Sequence, residues 1–102
     1  MSKLTQWNCQ GYHGNYEDIL VLIKEHHPTC FCLQETMLTN ATPTPPGGYN
    51  IFCRVAERPV PGEGLAILVR NDVPCYRLQI RSNIQCMAVR VKLNTEYTLC
   101  NF

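Results

Sequence analysis

Charged residues are scarce in this sequence of 102 residues, and neither sign predominates. Only 17% of the residues are charged, and nine Lys and Arg against eight Asp and Glu give a formal net charge of +1. Disordered tails combine low hydrophobicity with high net charge, whereas 45% of this sequence is hydrophobic. The composition therefore excludes a disordered tail, does not indicate a generally basic nucleic-acid-binding module, and suits one small domain.

Long hydrophobic runs are also missing. No stretch approaches the ~20 apolar residues that a membrane-spanning helix needs, and the first residues lack the apolar segment of a secretory signal. The seven cysteines are odd in number, and most lie in apolar segments, which favours reduced core thiols. We therefore expect an intracellular protein with no signal peptide, no membrane segment and no disulfide partner.

Arginine is concentrated in the second half of the chain, where six of the seven basic residues after position 50 are arginines. Arginine presents a planar fork of N–H donors that suits phosphate oxygens. Arg54, Arg58 and Arg70 are therefore candidates for contact with a nucleic-acid backbone. Charges spaced along strands also form the solvated face of a sheet, and this alternative stays open.

The chain opens with a pattern of strand, helix and strand. Leu4–Cys9 and Cys30–Gln34 are the predicted strands, and residues 16–27 between them have the apolar spacing of a helix. Asn15 can cap the start of this helix, and Pro28 ends it. Such a βαβ unit has a right-handed crossover and places its two strands parallel, with their carboxyl ends at one edge of the sheet.

The remainder of the chain is predicted to be β structure after a proline-rich loop over residues 39–48. The predicted strands are Tyr49–Val55, Leu65–Val69, Cys75–Ile80, Cys86–Leu93 and Tyr97–Phe102. Residues 94–96 form the expected hairpin turn between the last two of them. The sequence thus predicts an α/β fold in which the βαβ start is followed by antiparallel strands of one sheet.

Asn8 and Glu35 lie at the ends of the two predicted parallel strands. A carboxylate at the end of a buried strand needs a cation or hydrogen-bond donors. A carboxylate oxygen beside an amide oxygen suits Mg²⁺, which accepts hard oxygen ligands and keeps water in its other positions. The alternative, in which both side chains cap loop backbone, is left open by the spacing.

Two other motifs have weaker interpretations. His26, His27, Cys30 and Cys32 are potential zinc ligands, but they straddle a helix end and a strand without the usual Cys-x₂₋₄-Cys spacing, so a zinc site is disfavoured. Trp7 could stack on a base, although an aromatic beside a strand end more often belongs to the core.

Five segments of the chain, taken together and in order, resemble one family. They are Trp7-Asn8-Cys9-Gln10-Gly11, Cys32-Leu33-Gln34-Glu35-Thr36, Gly62-Glu63-Gly64-Leu65-Ala66-Ile67-Leu68-Val69-Arg70, Met87-Ala88-Val89-Arg90-Val91 and Tyr97-Thr98-Leu99-Cys100-Asn101. This order resembles the endonuclease/exonuclease/phosphatase superfamily with its DNase I-like fold, and within it the apurinic-endonuclease-like domain of non-LTR retrotransposons. The resemblance covers essentially the whole chain, so residues 1–102 are expected to be the N-terminal part of such a domain.

The resemblance implies a Mg²⁺-dependent endonuclease, with Mn²⁺ as a possible substitute for the magnesium. By the same resemblance, Glu35 is the carboxylate ligand of the metal, and Asn8 is the amide that helps to hold the metal and the phosphate. The implied reaction is in-line attack of water on a DNA phosphodiester, leaving a 3′-hydroxyl that primes reverse transcription. The implied partners are DNA and a reverse transcriptase domain in the same polyprotein, and the implied location is the nucleus.

The sequence also departs from the family pattern. The family's catalytic Tyr, Asp-x-Asn and Asp-His pair would follow Phe102, Glu63 stands where glycine is common, and Gln10 stands where arginine is frequent. The chain supplies roughly one sheet and its helix, so one apolar face is expected to lack its cover. We expect the 102 residues alone to be inactive. Alternatives are a catalytically inactive retrotransposon-derived remnant, a weak nucleic-acid-binding module, or a phosphatase for sugar phosphates or phospholipids.

Overall fold

The computed structural model describes residues 3–39, 42–55, 62–81 and 84–102. Within these ranges the chain forms one helix and seven strands. In chain order they are β1 (Leu4–Asn8), α1 (Tyr16–His26), β2 (Cys30–Gln34), β3 (Tyr49–Arg54), β4 (Leu65–Arg70), β5 (Cys75–Leu78), β6 (Met87–Lys92) and β7 (Glu96–Asn101). No helix in this part of the chain is both long and apolar enough to cross a bilayer.

The strands divide between two sheets. The first has the order β1-β2-β4-β3, with β1 and β2 parallel and the other pairs antiparallel, and the second has the antiparallel order β5-β6-β7. The α/β class and the βαβ start are confirmed, but the prediction of one sheet is wrong. Alternating hydrophobicity sets which face of a strand is buried, but it does not say which sheet the strand joins. The turn over residues 71–74, with Val73 buried, takes the chain from the first sheet to the second.

Helix α1 lies within one residue of its predicted bounds. It ends at His26, and His27 takes the left-handed conformation that terminates many helices, with its N–H bonded to the Ile23 carbonyl at 2.8 Å. Asn15 occupies the N-cap position, but its side chain makes no capping hydrogen bond. The Asn15 Nδ2 donates instead to the carbonyl of Cys9 at 2.7 Å, which ties the start of the helix to the end of β1.

Two apolar cores lie on the two faces of the first sheet. On one face, α1 covers a cluster that includes Ile19, Phe31 and Leu33, and Trp7 packs against this cluster as a core aromatic. On the other face, the second sheet covers a cluster that includes Ile67 and Val89. The prediction of an uncovered apolar face is therefore wrong for the centre of the sandwich, because β5–β7 supply that cover.

The sandwich is open along one side, where the edge strands β1 and β7 face each other. A groove of about 510 Å³ runs between them. Its lining residues are Leu4, Gln6, Asn8, Cys32, Gln34, Cys100, Asn101 and Phe102. All seven cysteines are free, and five of them are buried. The groove leads toward the carboxyl ends of β1 and β2, where the candidate site lies.

Candidate metal centre

Asn8 and Glu35 meet at the carboxyl ends of the parallel strands β1 and β2. The register pairs Asn8 with Gln34, and the N–H of Cys9 continues the pairing with a 3.0 Å bond to the Gln34 carbonyl. Beyond this point the Nδ2 of Asn8 donates a hydrogen bond to the Oε2 of Glu35. The structure therefore brings together the two side chains that the sequence selected as metal ligands.

The backbone of Glu35 has a conformation that aims its side chain at this edge. Its φ of 53° lies in the left-handed region, which non-glycine residues adopt at a cost of about 1 kcal/mol. Neighbouring loops hold the segment on both sides: Gly11 N–H donates to the Glu35 carbonyl at 2.8 Å, and Thr36 N–H donates to the Gly64 carbonyl at 3.0 Å. Strained residues of this kind persist where the surrounding contacts fix them, which is common at functional sites.

Glycine is required where the loop before β4 passes the Glu35 segment. Gly64 has a φ of 95°, and a Cβ there would collide with the Thr36 side chain and lie 2.9 Å from the N–H nitrogen of Met37. Gly62 also has a positive φ, and a Cβ there would lie 3.9 Å from the Oε1 of Glu35. The Gly64 N–H donates to the Gln85 side chain at 2.6 Å, which joins this loop to the segment before β6.

Asn8 and Glu35 open into a cavity of about 370 Å³. The other residues that line it are Gln34, Gly62, Leu65, Gln85 and Phe102. Asn8 is exposed and Glu35 is half-buried, so water can reach both. This donor set fits Mg²⁺ or Mn²⁺, because one carboxylate and one amide oxygen leave room for the several waters that a hard cation retains.

The donor set does not fit a closed transition-metal site. Across the described ranges, no three His, Cys, Asp or Glu side chains come together as a metal-binding group. Cys30 and Cys32 are buried in β2, whereas His26 and His27 are exposed around the end of α1. The four side chains that made up the disfavoured zinc motif therefore do not converge.

Cys9 directly follows β1, and its thiol is a titratable group next to the candidate ligand Asn8. Burial raises the pKa of Cys9, and the nearby negative charge of Glu35 raises it further. The Sγ of Cys9 lies 3.4 Å from the Gln34 carbonyl, to which it donates. Burial therefore favours the protonated thiol of Cys9 over its thiolate.

A chain of side-chain amides lies beneath the site, and the sequence analysis did not select it. Gln6 donates to Gln34 at 2.6 Å, Gln34 donates to Asn101 at 2.5 Å, and Asn101 donates to backbone carbonyls of the first sheet. The only sequence signal is an amide within the first strand, Gln6, and an amide at the end of each of two later strands, Gln34 and Asn101. Single amides in and at the ends of strands are common, so this signal is too weak to identify the network.

The three candidate arginines lie in different places. Arg54 ends β3 at the same edge as Glu35, and its Nη1 donates to the carbonyls of Ile84 at 3.1 Å and Cys86 at 2.8 Å. Arg70 ends β4 at the opposite edge and forms an exposed pair with Asp72, with an Nε to Oδ1 distance of 2.6 Å. Arg58 lies outside the described residues. A contact between these arginines and nucleic acid stays a prediction.

The chain is similar to one known protein family and to solved structures. Residues 5–102 match the model of the endonuclease/exonuclease/phosphatase family. Among solved structures, the crystal structure of an AP endonuclease from Leishmania major matches with a TM-score of 0.70 and 19% sequence identity. That match covers 98% of this chain and 39% of that chain. In a comparison with curated protein sequences, none showed significant similarity.

The structural match confirms the predicted fold class, a partial DNase I-like α/β fold. The family model extends over both parallel strands, the Glu35 loop and the second sheet, so it includes every described residue of the candidate site. By this match, which spans nearly the whole sequence, the chain belongs to the endonuclease/exonuclease/phosphatase family.

Proposed function

We propose that this chain carries the metal-binding part of a Mg²⁺-dependent endonuclease that nicks DNA, and that Asn8 and Glu35 hold the metal. The observation that carries the proposal is the contact between the Asn8 amide and the Glu35 carboxylate, at the strand-end edge where α/β proteins place their ligands. Family membership supports hydrolysis of a phosphate ester. The non-LTR retrotransposon type rests on the five sequence segments that resemble that group.

Each side chain has a separate task in this proposal. Glu35 supplies the negative charge that binds the cation, and the Asn8 N–H holds that carboxylate in place. The amide oxygen of Asn8 is the group that we assign to the ion or the phosphate. When bound, the metal supplies stabilisation of the charge that develops on the phosphate oxygens. The open cavity beside Glu35 leaves space for the phosphodiester and for metal-bound water.

The protein context is part of the same proposal. Residues 1–102 form the N-terminal part of the endonuclease domain, and the natural gene product continues into a reverse transcriptase that acts with it on nuclear DNA. The 39% span over the Leishmania major AP endonuclease is consistent with a partial domain. The coding sequence that follows codon 102 tests this directly: a reverse transcriptase reading frame supports the retrotransposon type, and an immediate stop codon favours the inactive remnant.

The metal site is tested on the 102-residue chain by Mn²⁺ titration, with the electron paramagnetic resonance signal of free Mn²⁺ as the measure of unbound ion. We expect one site that is lost in Glu35→Gln. Glu25→Gln is the matched control, because it removes one exposed carboxylate from the last turn of α1, and that end of the helix lies at the opposite edge of the sheet. Equal binding by all three proteins, or no binding by the wild type, would contradict the proposal.

The choice of DNA over another phosphate ester is tested by amide chemical shifts with Mg²⁺ present. We expect a short DNA duplex to shift the resonances of Asn8, Glu35 and Gly62, which line the cavity. An inositol phosphate at equal phosphate concentration serves as the comparison. Stronger shifts with the inositol phosphate than with the duplex would favour the phosphatase alternative.

A further inference from the structure

Asn101 is a buried amide whose polar atoms are all hydrogen-bonded. It is the last residue of β7 and only 2% exposed. Its Nδ2 donates to the carbonyl oxygens of Leu33 and Ala66, each at 2.9 Å, and its Oδ1 accepts from Gln34 at 2.5 Å. Leu33 and Ala66 are paired residues of β2 and β4, so one side chain of the second sheet holds two strands of the first.

These bonds end directly beneath the candidate metal site. Gln34 precedes Glu35 in the chain and is the register partner of Asn8. Its Oε1 also accepts a 2.6 Å hydrogen bond from Gln6, so the side chain of Gln34 is held from both β1 and β7. The position of the β2 end, from which Glu35 turns toward Asn8, therefore depends on Asn101.

Packing alone does not explain an amide at this position. Asn101 pairs with Met87 in the second sheet, and its inward-facing neighbours are apolar, including Leu99 on β7 and Val89 and Val91 on β6. An apolar side chain would suit such a core and would need none of the three hydrogen bonds that the Asn101 side chain makes. The structure instead has an amide that hydrogen-bonds to two carbonyls and one side chain of the neighbouring sheet.

We propose that Asn101 is a positioning residue for the Asn8–Glu35 metal site, acting through the Gln34 side chain and the end of β2. This inference rests on the proposed function, because it assigns Asn101 a role at the proposed metal site. The predicted contact between Asn8 and Glu35 forms without a metal. Asn101 fixes the end of β2, Gln34 transmits that constraint, and the Glu35 carboxylate stays within hydrogen-bond reach of the Asn8 amide. Partners that orient a ligand in this way typically change metal affinity about 10–100-fold when removed.

The first test needs no metal and follows the Asn8 side-chain amide by ¹⁵N NMR. Glu35→Gln defines the resonance position when the carboxylate acceptor is lost. We expect Asn101→Ala to move the Asn8 signal toward that position. Val89→Ala is the control for stability, because it removes buried volume from the core between the sheets without touching β2's end, and it should leave the Asn8 signal unchanged. A wild-type Asn8 signal in Asn101→Ala overturns the proposal.

The second test measures Mn²⁺ affinity well below the melting temperature of every variant. We expect Asn101→Ala to bind about tenfold more weakly than the wild type, while Val89→Ala and the exposed-site control Cys100→Ser keep wild-type affinity. Equal weakening in Asn101→Ala and Val89→Ala would mean that Asn101 acts only on stability, and would overturn the proposal.

The two tests separate this inference from the proposed function. If the wild type binds no Mn²⁺, the proposed function fails, and the Asn8 signal alone decides whether Asn101 positions Glu35. If Asn101→Ala does not fold, Gln34→Met replaces it, because Gln34 is half-buried and its replacement removes only its side-chain hydrogen bonds to Gln6 and Asn101. A wild-type Asn8 signal and wild-type affinity in Gln34→Met would overturn the proposal.

Discussion

The side chain of Asn8 donates a hydrogen bond to the carboxylate of Glu35, although 27 residues separate the two in sequence. The link is possible because a short helical crossover returns the chain to a parallel position, so that two strand ends share one edge of the sheet. This relationship places a neutral donor against a carboxylate at a water-accessible site. It also makes the site sensitive to the charge of residue 8.

Asn8→Asp tests that sensitivity. In EDTA at pH 7.5 we expect this variant to lose about 0.5–1 kcal/mol of unfolding free energy, because two partly solvated carboxylates then face each other. Acid removes the negative charge of carboxylates, so the repulsion and the loss that it causes should disappear at low pH. Saturating Mn²⁺ should stabilise the variant more than the wild type. Urea unfolding gives these values, and Asn8→Ala, which adds no charge, is the control.

An Asn8→Asp variant with wild-type stability in EDTA and wild-type affinity for Mn²⁺ would contradict the observed pairing. The acid arm of the experiment distinguishes repulsion from simple loss of the hydrogen bond. Asn8→Ala also loses that bond but adds no charge. Its loss of unfolding free energy therefore contains no repulsion that acid could relieve.

Gly64→Ala should destabilise the chain by about 2 kcal/mol, because the new Cβ meets Thr36 and the backbone of Met37 at a positive φ. The segment that must move carries Glu35, so we also expect weaker Mn²⁺ binding. Gly47→Ala is the matched control, since a Cβ there meets nothing within 4 Å. Urea unfolding and Mn²⁺ titration measure the two effects, and equal behaviour of the two alanine variants would refute this account of the loop.

The 102-residue chain should not nick supercoiled plasmid DNA with Mg²⁺. The family resemblance implies a catalytic tyrosine, an Asp-x-Asn motif and an Asp-His pair, and none of them follows the resembling segments within these 102 residues. Metal binding without a base to activate water leaves most of the rate enhancement unrealised. Agarose gel electrophoresis measures nicking, and robust activity that disappears in Glu35→Ala would show that these residues suffice.

The buried thiols predict a loss of stability at alkaline pH. Burial raises the pKa of Cys30, Cys32 and Cys53 from the ordinary value of 9.0 to about 11. Between these pH values the unfolded chain has released protons that the folded chain retains, so the free energy of unfolding falls as the pH rises. Burial raises the pKa of Tyr12 and Tyr49 as well, which acts in the same direction.

Urea midpoints at pH 8 and pH 10.5 measure this effect. Cys53→Ala should show a smaller drop between the two pH values than the wild type, because one of the titrating groups is gone. Cys100→Ser is the control for replacement of a cysteine at an exposed position, and its drop should stay closer to that of the wild type than the drop of Cys53→Ala. A pH-independent midpoint in the wild type would contradict the assignment of buried neutral thiols.

Local pattern was sufficient to predict α1, β1 and β2 nearly to the residue. Helical and strand periodicities depend on neighbours within a few positions, and a short crossover allows few arrangements. The same logic placed Asn8 and Glu35 together, because the ends of two parallel strands have only one edge to share. It did not predict that the Asn15 side chain would bond to the Cys9 carbonyl instead of capping the helix.

The roles of Asn101 and Gly64 could not be predicted in this way. Asn101 donates hydrogen bonds to the carbonyls of Leu33 and Ala66, which lie 68 and 35 residues away in sequence. The residues next to Asn101 in the chain do not indicate these partners. Gly64 is required by Thr36 and Met37 of another loop. The sequence pattern around Arg54 is typical of an exposed charged residue on a strand. In the structure its side chain donates hydrogen bonds to carbonyls of the segment before β6.

The sequence by itself determined the order of strands and helix, the parallel start and the meeting of Asn8 with Glu35. Each of these follows from periodicity within a segment or from the short crossover between two neighbouring strands. Only the tertiary structure decided that the later strands leave the first sheet, cover its apolar face and hold the Glu35 segment from the other side. Those choices depend on which buried surfaces and hydrogen-bonding groups fit together over long separations, and hydrophobic periodicity carries no information about that fit.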